Sequence, residues 1–398
     1  MTKTPHLGVW FAAIATIFFT RAMLFSTWLS RGPEVEKALH LDDGGMGLLV
    51  MLYPIGGLLG ITFANALTRR FGSKLLTIIG FSVSGLALAG LGFTITAGNV
   101  VASGALLLTM GLPMAIEDYV GNYEATGLNN ASKHSLMPAV HSSFGIGMVL
   151  AASLSGLFIG QNVNLTGNYL IISALVIVPS IIAAFGFAPR HEVAQTTAEK
   201  VEQKRLGRLV WSERRTLLIA LIGFTFIMAE IGAGTWVPIA LTKSGFSASV
   251  AASALGAFWI IITVFRAIGG FIVDKIGRSL TIGLSAAVNA LGVLIFVLDP
   301  VLHLPFVGMA FWAAGLALGF PMSIASMADD EVKSPARVNL IITVVYISSI
   351  TVGPALGSVG QALGIYLAFC IPLALLILAA VISPVTKPEK VDASHPGH

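Results

Sequence analysis

The chain has 398 residues, of which 56% are hydrophobic and only 11% carry a charged side chain. A soluble globular domain carries about 25% charged residues, so this composition cannot cover a water-facing surface and excludes a soluble protein. The formal charge of +4 does not indicate nucleic-acid binding, because most basic residues lie in short segments between long apolar runs. The single cysteine, Cys370, excludes an internal disulfide.

Twelve apolar runs are long enough to cross a bilayer, which takes about 20 helical residues. The first run is not a cleavable signal peptide, since its apolar stretch is too long and no small-residue cleavage site follows it. The sequence therefore predicts an all-α membrane protein with twelve transmembrane helices. In chain order the predicted spans are 8–30, 45–67, 75–96, 100–124, 137–160, 168–188, 216–240, 248–272, 280–299, 304–327, 338–359 and 363–384.

The positions of the lysines and arginines set the predicted orientation. All but five of these 23 residues lie in the N-terminal segment or in segments on its side of the membrane; the exceptions are Arg21, Arg31, Lys37, Lys243 and Arg266. Cytoplasmic loops carry an excess of Lys and Arg. We therefore expect a multi-pass protein of the bacterial inner membrane with both termini in the cytoplasm.

Residues 190–215 form the only long polar connection, and they divide the spans six and six. Three segments of the first half recur in order in the second half, at offsets of 208 or 205 positions, which indicates duplication. The matching pairs are "STWLS" at 26–30 with "GTWVP" at 234–238, "GLPMAI" at 111–116 with "GFPMSI" at 319–324, and "RRFGSK" at 69–74 with "DKIGRS" at 274–279. The predicted fold is two pseudo-symmetric six-helix bundles. Its predicted domains are an N-terminal bundle at 1–189, a cytoplasmic linker at 190–215, a C-terminal bundle at 216–386 and a cytoplasmic tail at 387–398.

The segment "GGFIVDKIGR" at 269–278 resembles the cytoplasmic loop signature of the major facilitator superfamily, in which an acid and basic residues surround a tight glycine turn. The first-half copy differs, because Arg69 stands where the acid belongs. The resemblance implies a cytoplasmic gate that latches neighbouring helices in one state. Its predicted members are Arg69, Arg70, Arg266, Asp274, Lys275 and Arg278.

Two further segments, "DYVGN" at 118–122 and "HSSFGIG" at 141–147, resemble the fucose permease-like group of this superfamily. Together with "AEIGAGTW" at 229–236, they are most similar to its YbjJ-like and rhizopine permease-like members. The resemblance implies two bundles around a central cavity and transport of a sugar, polyol or related compound.

Ionisable residues at membrane depth are costly and normally face the protein interior or a wet cavity. Asp118 and Asn122 lie one helical turn apart on one face of the fourth span, and we expect Asp118 to line the cavity or to pair with a neighbouring helix. Glu117 points about 100° away. Glu124 lies near the cytoplasmic end and could instead bond loop amides. We assign proton coupling to Asp118, Glu124 and His141, although a histidine bonded to a backbone carbonyl explains His141 equally well.

Arg21 and Glu230 lie at matching depths on the first and seventh spans. They could pair between the halves, or Arg21 could hold an anionic solute, or Arg21 could pair with Asp118 or Glu117. We expect Arg21, Asn122, Glu230 and Trp236 to bind the solute, with Trp236 as an aromatic wall. Six residues separate Glu230 from Trp236, so presenting both requires local unwinding of the seventh helix at its glycines.

The sequence lacks the nucleophile, metal-binding and phosphate-binding motifs of enzymes. We expect a monomeric secondary transporter with no cofactor, which moves a small polar solute by alternating access, coupled to protons. The alternatives are a proton-driven exporter of amphiphilic compounds and a membrane sensor that binds a solute without moving it.

Overall fold

The computed structural model describes residues 6–132, 136–187, 205–330 and 332–388, and these ranges contain helices and no strand. Eleven apolar helical stretches are long enough to cross a membrane, and one of them, Asp43–Thr96, has 54 residues. That is enough for two crossings at about 20 residues each. Gly72 interrupts this stretch with φ 77° and ψ 156°, so it folds as two spans. The prediction of a twelve-span all-α protein is confirmed.

The helices follow the predicted spans closely, with short extra helices at the loops. In the first half they are α1 Leu7–Ser30, α2 Gly32–Ala38, α3 Asp43–Val50, α4 Leu52–Thr96, α5 Val100–Ala131, α6 Met137–Gly160 and α7 Leu165–Ala184. A short helical segment at 205–210, α8, precedes the second half. The second half comprises α9 Arg214–Lys243, α10 Ala248–Ile276, α11 Arg278–Val297, α12 Asp299–Leu302, α13 Pro305–Met327, α14 Ser334–Leu363, α15 Ile365–Ala368 and α16 Cys370–Ile382, followed by a 3₁₀ turn at Ser383–Thr386.

The turns of the two halves repeat in the backbone conformation. Residues with positive φ occur at matching places, three pairs 205 positions apart and one pair 202 apart. The pairs are His40 with Gly245, Gly72 with Gly277, Gly98 with His303, and Asn162 with Gly364. The two motif glycines, Gly72 and Gly277, have nearly the same φ of 77° and 79°. This left-handed conformation is one that glycine adopts readily.

Helices of each half pack mainly on one another: α4 on α5 and α7, α1 on α6, and in the second half α11 on α13 and α16, and α9 on α14. Contacts between the halves run from α3 to α14, from α6 to α10 and from α1 to α9. The boundaries of the two bundles remain a proposal, since most of the predicted linker and tail lies outside the described residues.

We call the end of the bundle at which α1 begins and α16 ends the terminal face, and the opposite end the far face. At the far face the halves are held together by charge. Lys243 of α9 forms ion pairs with Glu36, at 2.9 Å, and with Asp43. Gln361 of α14 donates to Asp42 Oδ2 at 2.6 Å. The structure is therefore closed at the far face.

Glycines let α3 and α14 touch at this closure. A Cβ atom on Gly47 would lie 2.3 Å from the carbonyl oxygen of Gly353, and a Cβ on Gly357 would lie 2.5 Å from that of Asp43. Only residues without a side chain allow two helix backbones to approach this closely.

At the terminal face the second half pairs within itself. Arg278 makes a bidentate contact with Asp329 at 2.7 and 2.8 Å, and Arg215 contacts the same carboxylate at 2.7 Å. Burial raises the pKa of Asp329, but the hydrogen bonds from Arg278 and Arg215 outweigh it and hold the pKa below its usual value. Arg278 thus joins α11 to the end of α13.

The other predicted gate residues have different surroundings. Asp274 and Lys275 are exposed, so the acid paired with Arg278 is Asp329 and not Asp274 of the motif. Arg70 lies over the ring of Phe71, 5.3 Å from its centroid. Arg69 directly precedes Arg70 in the sequence and lies near the Gly72 turn. A gating role for this group remains a prediction.

Candidate functional site

A cavity of about 200 Å³ lies between the two halves, near the middle of the bundle. Its first-half wall includes Arg21, Phe25 and Asp118, and its second-half wall consists of Ile231, Thr235, Tyr346 and Ser349. Pockets for drug-sized ligands measure roughly 300–1,000 Å³. This cavity is smaller and suits a compact solute.

Arg21 of α1 and Asp118 of α5 form an ion pair in the cavity wall, with Nη1 2.6 Å from Oδ1. The guanidinium also lies over two aromatic rings, 4.9 Å from the centroid of Phe144 and 5.6 Å from that of Phe18. The side chains are 19% and 37% exposed, so both charges can be reached from the cavity. Of the three predicted roles for Arg21, the structure shows pairing with Asp118.

Asn122 supports Asp118 and does not line the cavity. Its Nδ2 donates to the main-chain oxygen of Asp118 at 2.8 Å and reaches Oδ1 at 3.3 Å. The Asn122 amide lies one helical turn from Asp118 and therefore restricts the position of its carboxylate. Its predicted contact with solute is replaced by this positioning of Asp118.

The predicted bridge between Arg21 and Glu230 is wrong in this structure. Glu230 accepts hydrogen bonds from Arg266 Nη2 at 3.1 and 3.3 Å, and Arg266 Nε donates to the carbonyl of Ala317 at 3.2 Å. Glu230 therefore pairs with a residue of α10, in its own half. The same contacts correct the assignment of Arg266, which joins α9, α10 and α13 and is not part of the latch around Arg278. Ile231, not Glu230, lines the cavity.

Trp236 does not form a cavity wall. Its side chain is fully buried, because α9 continues as one helix from Arg214 to Lys243 and the predicted unwinding does not occur. Residues four apart share a helix face, so Ile231 and Thr235 face the cavity while Trp236 is turned about 100° away. The hydroxyl of Thr235, a buried residue without a hydrogen-bond partner among the described residues, stands where the tryptophan was expected.

The two other predicted proton-coupling residues lie closer to the terminal face. Glu124 is 1% exposed and accepts a hydrogen bond from Trp10 Nε1 at 2.8 Å. His141 is exposed, and its ring meets that of Phe18 edge to face at 4.8 Å. Phe18 thus contacts both the His141 ring and the Arg21 guanidinium.

Several site features were missed from the sequence. Tyr53 and Tyr346 line the cavity, and Tyr53 stacks on Phe25 with centroids 5.4 Å apart. Their position inside apolar spans could have indicated this, since a phenol at membrane depth needs a polar partner.

Glu117 is 1% exposed between α4 and α5 and accepts from Thr77 Oγ1 at 3.2 Å, so it stays outside the cavity. No three His, Cys, Asp or Glu side chains of the described ranges form a metal site.

Residues 9–330 match the family described as Major Facilitator Superfamily. An uncharacterized MFS-type transporter of Yersinia pestis is 25% identical over 376 residues, covering 93% of this chain and 94% of that protein. The membrane protein MosC of Rhizobium meliloti is 22% identical, with 95% and 90% covered. Multidrug resistance protein 2 of Bacillus subtilis (strain 168) is 26% identical, with 91% of each chain covered.

Solved transporter structures share the fold at low sequence identity. The nucleoside transporter NupG superposes with a TM-score of 0.76 at 15% identity, covering 96% of this chain and 100% of that one. A D-xylose-proton symporter gives 0.75 at 14%, covering 97% and 99%. The outward conformation of FucP gives 0.67 at 16%, covering 95% and 98%. Twelve spans, a cavity between two six-helix halves and a family match over most of the length agree: this chain belongs to the Major Facilitator Superfamily of transporters.

Proposed function

We propose that this transporter moves a small polar solute, of the sugar or polyol class, together with protons. The observation that carries the proposal is the Arg21–Asp118 ion pair in the wall of the cavity between the halves. A proton that binds Asp118 neutralises the carboxylate and releases Arg21 from it. The guanidinium can then donate to an oxygen of the solute.

The remaining cavity surface supports a small hydroxylated solute. The rings of Phe25 and Phe144 offer apolar faces, and the hydroxyl groups of Thr235, Tyr346 and Ser349 lie on the opposite wall. Such a site can stack against the ring face of a solute and exchange hydrogen bonds with its hydroxyl groups. While Asp118 is ionised, the charges of Arg21 and Asp118 cancel, and once it is protonated Arg21 offers a cationic donor to an oxygen of the solute.

The closed far face supports alternating access. In this state the far face is closed, and its opening requires that Lys243 leave Glu36 and Asp43. With the Lys and Arg excess at the terminal face, we propose that this face is cytoplasmic, in a bacterial inner membrane, and that the protein is a monomer of bundles 1–189 and 216–386. Full-length similarity to MosC and the fold shared with FucP favour the fucose permease-like group.

The second candidate is a proton-driven exporter of amphiphilic compounds. The relative named multidrug resistance protein 2 favours it, as do the aromatic residues of the cavity. The cavity volume of about 200 Å³ favours the smaller solute.

The test begins with a thermal-shift screen of purified protein against sugars, polyols, nucleosides and cationic drugs. The stabilising compound is then followed in proteoliposomes under an imposed pH gradient. We expect Asp118→Asn to abolish gradient-driven accumulation while exchange of solute persists, because the exchange does not need net proton transfer. Asp330→Asn, at a half-buried acid of the terminal face whose Oδ1 accepts from the backbone N–H groups of Val332 and Lys333, is the matched control. It should transport normally, because an amide oxygen accepts the same hydrogen bonds. Accumulation by Asp118→Asn would refute the coupling role.

A further inference from the structure

The segment that precedes α9 forms an amphipathic strip along the terminal face. In α8, Leu206 and Val210 are buried, one turn apart, and pack toward the start of α14. On the other side Arg208 is exposed, and Leu209 and Trp211 are 42% and 49% exposed. Because α9 begins at Arg214, this strip lies at the boundary between the apolar belt and water.

A groove of about 150 Å³ separates the strip from the beginning of α14. Leu206, Gly207 and Trp211 form one wall, and Val332, Pro335 and Asn339 belong to the other. Val332 is 69% exposed, and nothing lies within 4 Å of a Cβ built on Gly207. The groove is therefore an open, mostly apolar slot.

The basic residues near the groove fall into two groups. Lys333 pairs with Glu213 at 2.8 Å and with Asp330 at 3.9 Å, and Arg337 pairs with Glu213 at 2.9 Å, so these two cations have two acids beside them. Among the described residues, no ion pair forms with Arg208 or Arg214. An apolar slot beside uncompensated arginines complements a molecule that has an apolar part and an anionic group.

We propose that this groove binds an anionic phospholipid from the membrane leaflet at the terminal face. Its glycerol and upper acyl chain occupy the slot between α8 and α14, and its phosphate accepts hydrogen bonds from Arg208 and Arg214. Trp211 lies at the headgroup level, where an indole ring is favoured. Basic residues next to a transmembrane helix attract anionic lipid headgroups, and here the slot gives them a fixed place. The site does not depend on which solute the cavity carries.

The tryptophan content of the chain provides a direct probe. Trp211 is 49% exposed, whereas the other five tryptophans are at most 6% exposed. We would reconstitute the protein in phosphatidylcholine vesicles that contain either brominated phosphatidylglycerol or brominated phosphatidylcholine at the same mole fraction. Bromine quenches indole fluorescence at short range. We expect at least twofold more quenching by the anionic lipid, and Trp211→Phe should remove the difference.

Two double variants separate a built site from general surface charge. Arg208→Gln with Arg214→Gln should abolish the preference for brominated phosphatidylglycerol. Arg70→Gln with Lys74→Gln removes the same charge from the terminal face of the first half and should leave the preference intact. An equal loss in both double variants would show surface attraction only and overturn the proposal. So would equal quenching by the two brominated lipids in the unmodified protein, and neither result would bear on solute transport.

Discussion

The contact between Gly47 and Gly353 predicts that a single methyl group can open the far face. A Cβ on Gly47 would lie 2.3 Å from the carbonyl oxygen of Gly353 and 2.9 Å from its carbonyl carbon. Both obstructing atoms belong to the backbone of α14, so no side chain can rotate away. Gly47→Ala therefore requires α3 and α14 to separate.

The size of the effect follows from the distance. An ordinary contact to a Cβ begins at 3.4 Å, so the helices must move apart by about 1 Å at this point. Overpacking of this kind costs about 1–3 kcal/mol, which corresponds to about 5- to 150-fold in an equilibrium constant. The cost falls on the state that is closed at the far face, because Gly47 and Gly353 belong to different halves. We expect the open population to rise by that factor.

The measurement is the distance between spin labels placed at Lys37 and Ala362, on the two sides of the far face, after Cys370→Ser removes the native thiol. Gly47→Ala should add a population at longer distance. Gly270→Ala, where nothing lies within 4 Å of the new methyl group, is the neutral control. In Gly60→Ala the methyl would lie 2.0 Å from the carbonyl of Leu112 in the same half, so it should lower stability without opening the far face.

Two results would refute this reasoning. An unchanged distance distribution in folded Gly47→Ala protein would show that the contact does not limit opening. The same shift in Gly60→Ala would show that loosening anywhere in the bundle opens the face.

The remaining predictions concern stability. Trp236→Ala should lower the melting temperature in detergent markedly, since truncating a fully buried tryptophan costs about 3–5 kcal/mol, whereas Trp211→Ala at an exposed site should change it little; similar shifts would contradict the burial assigned to Trp236. Burial raises the pKa of Glu213, but hydrogen bonds from Lys333, Thr216 and Arg337 outweigh it and hold the pKa at about 2. An acid with a depressed pKa stabilises the fold above its unfolded pKa of about 4.3. The stability difference between Glu213→Gln and the unmodified protein should therefore be constant from pH 7 to about 5 and disappear as the pH falls toward 2, and a difference unchanged at pH 2 would exclude the ionised contact.

Composition and periodic turns made the fold predictable from the sequence. The twelve apolar runs correspond to the observed spans, because a helix of this length and apolarity is stable only across a bilayer. The repeat at 69–74 and 274–279 coincides with Gly72 and Gly277, which share a positive φ. The residue types of such a turn identify it, so it can be recognised without knowing how the helices pack.

The partners of the interior charges could not be predicted in the same way. Position along a span gives depth, but pairing also depends on the rotation of each helix, and the packing of several helices sets that rotation. Arg21 and Glu230 lie at similar depths, yet each bonds a residue of its own half. The prediction that Trp236 lines the cavity was wrong for the same reason. A rotation of about 100° around the helix separates a buried residue from one that faces the cavity.

The two halves share turns but differ at the depth of the cavity. With the 205-position offset of the turns, Trp10 and Glu124 correspond to Arg215 and Asp329, and both pairs are in contact. At the depth of the cavity, the corresponding residues of the two halves differ in type and in contacts.

At the 208-position offset of the matching segments on either side of the cavity, Arg21 corresponds to Ala229 and Asp118 to Ser326. Ala229 is fully buried. Ser326 donates to the carbonyl of Met322 in its own helix at 2.8 Å. The second half thus seals the position where the first half holds an exposed ion pair. A proton taken up by Asp118 changes the charge of the first-half wall alone, while Thr235, Tyr346 and Ser349 keep their hydroxyl groups on the other wall. Proton binding can therefore change how the two halves interact across the solute without disturbing the packing of either bundle.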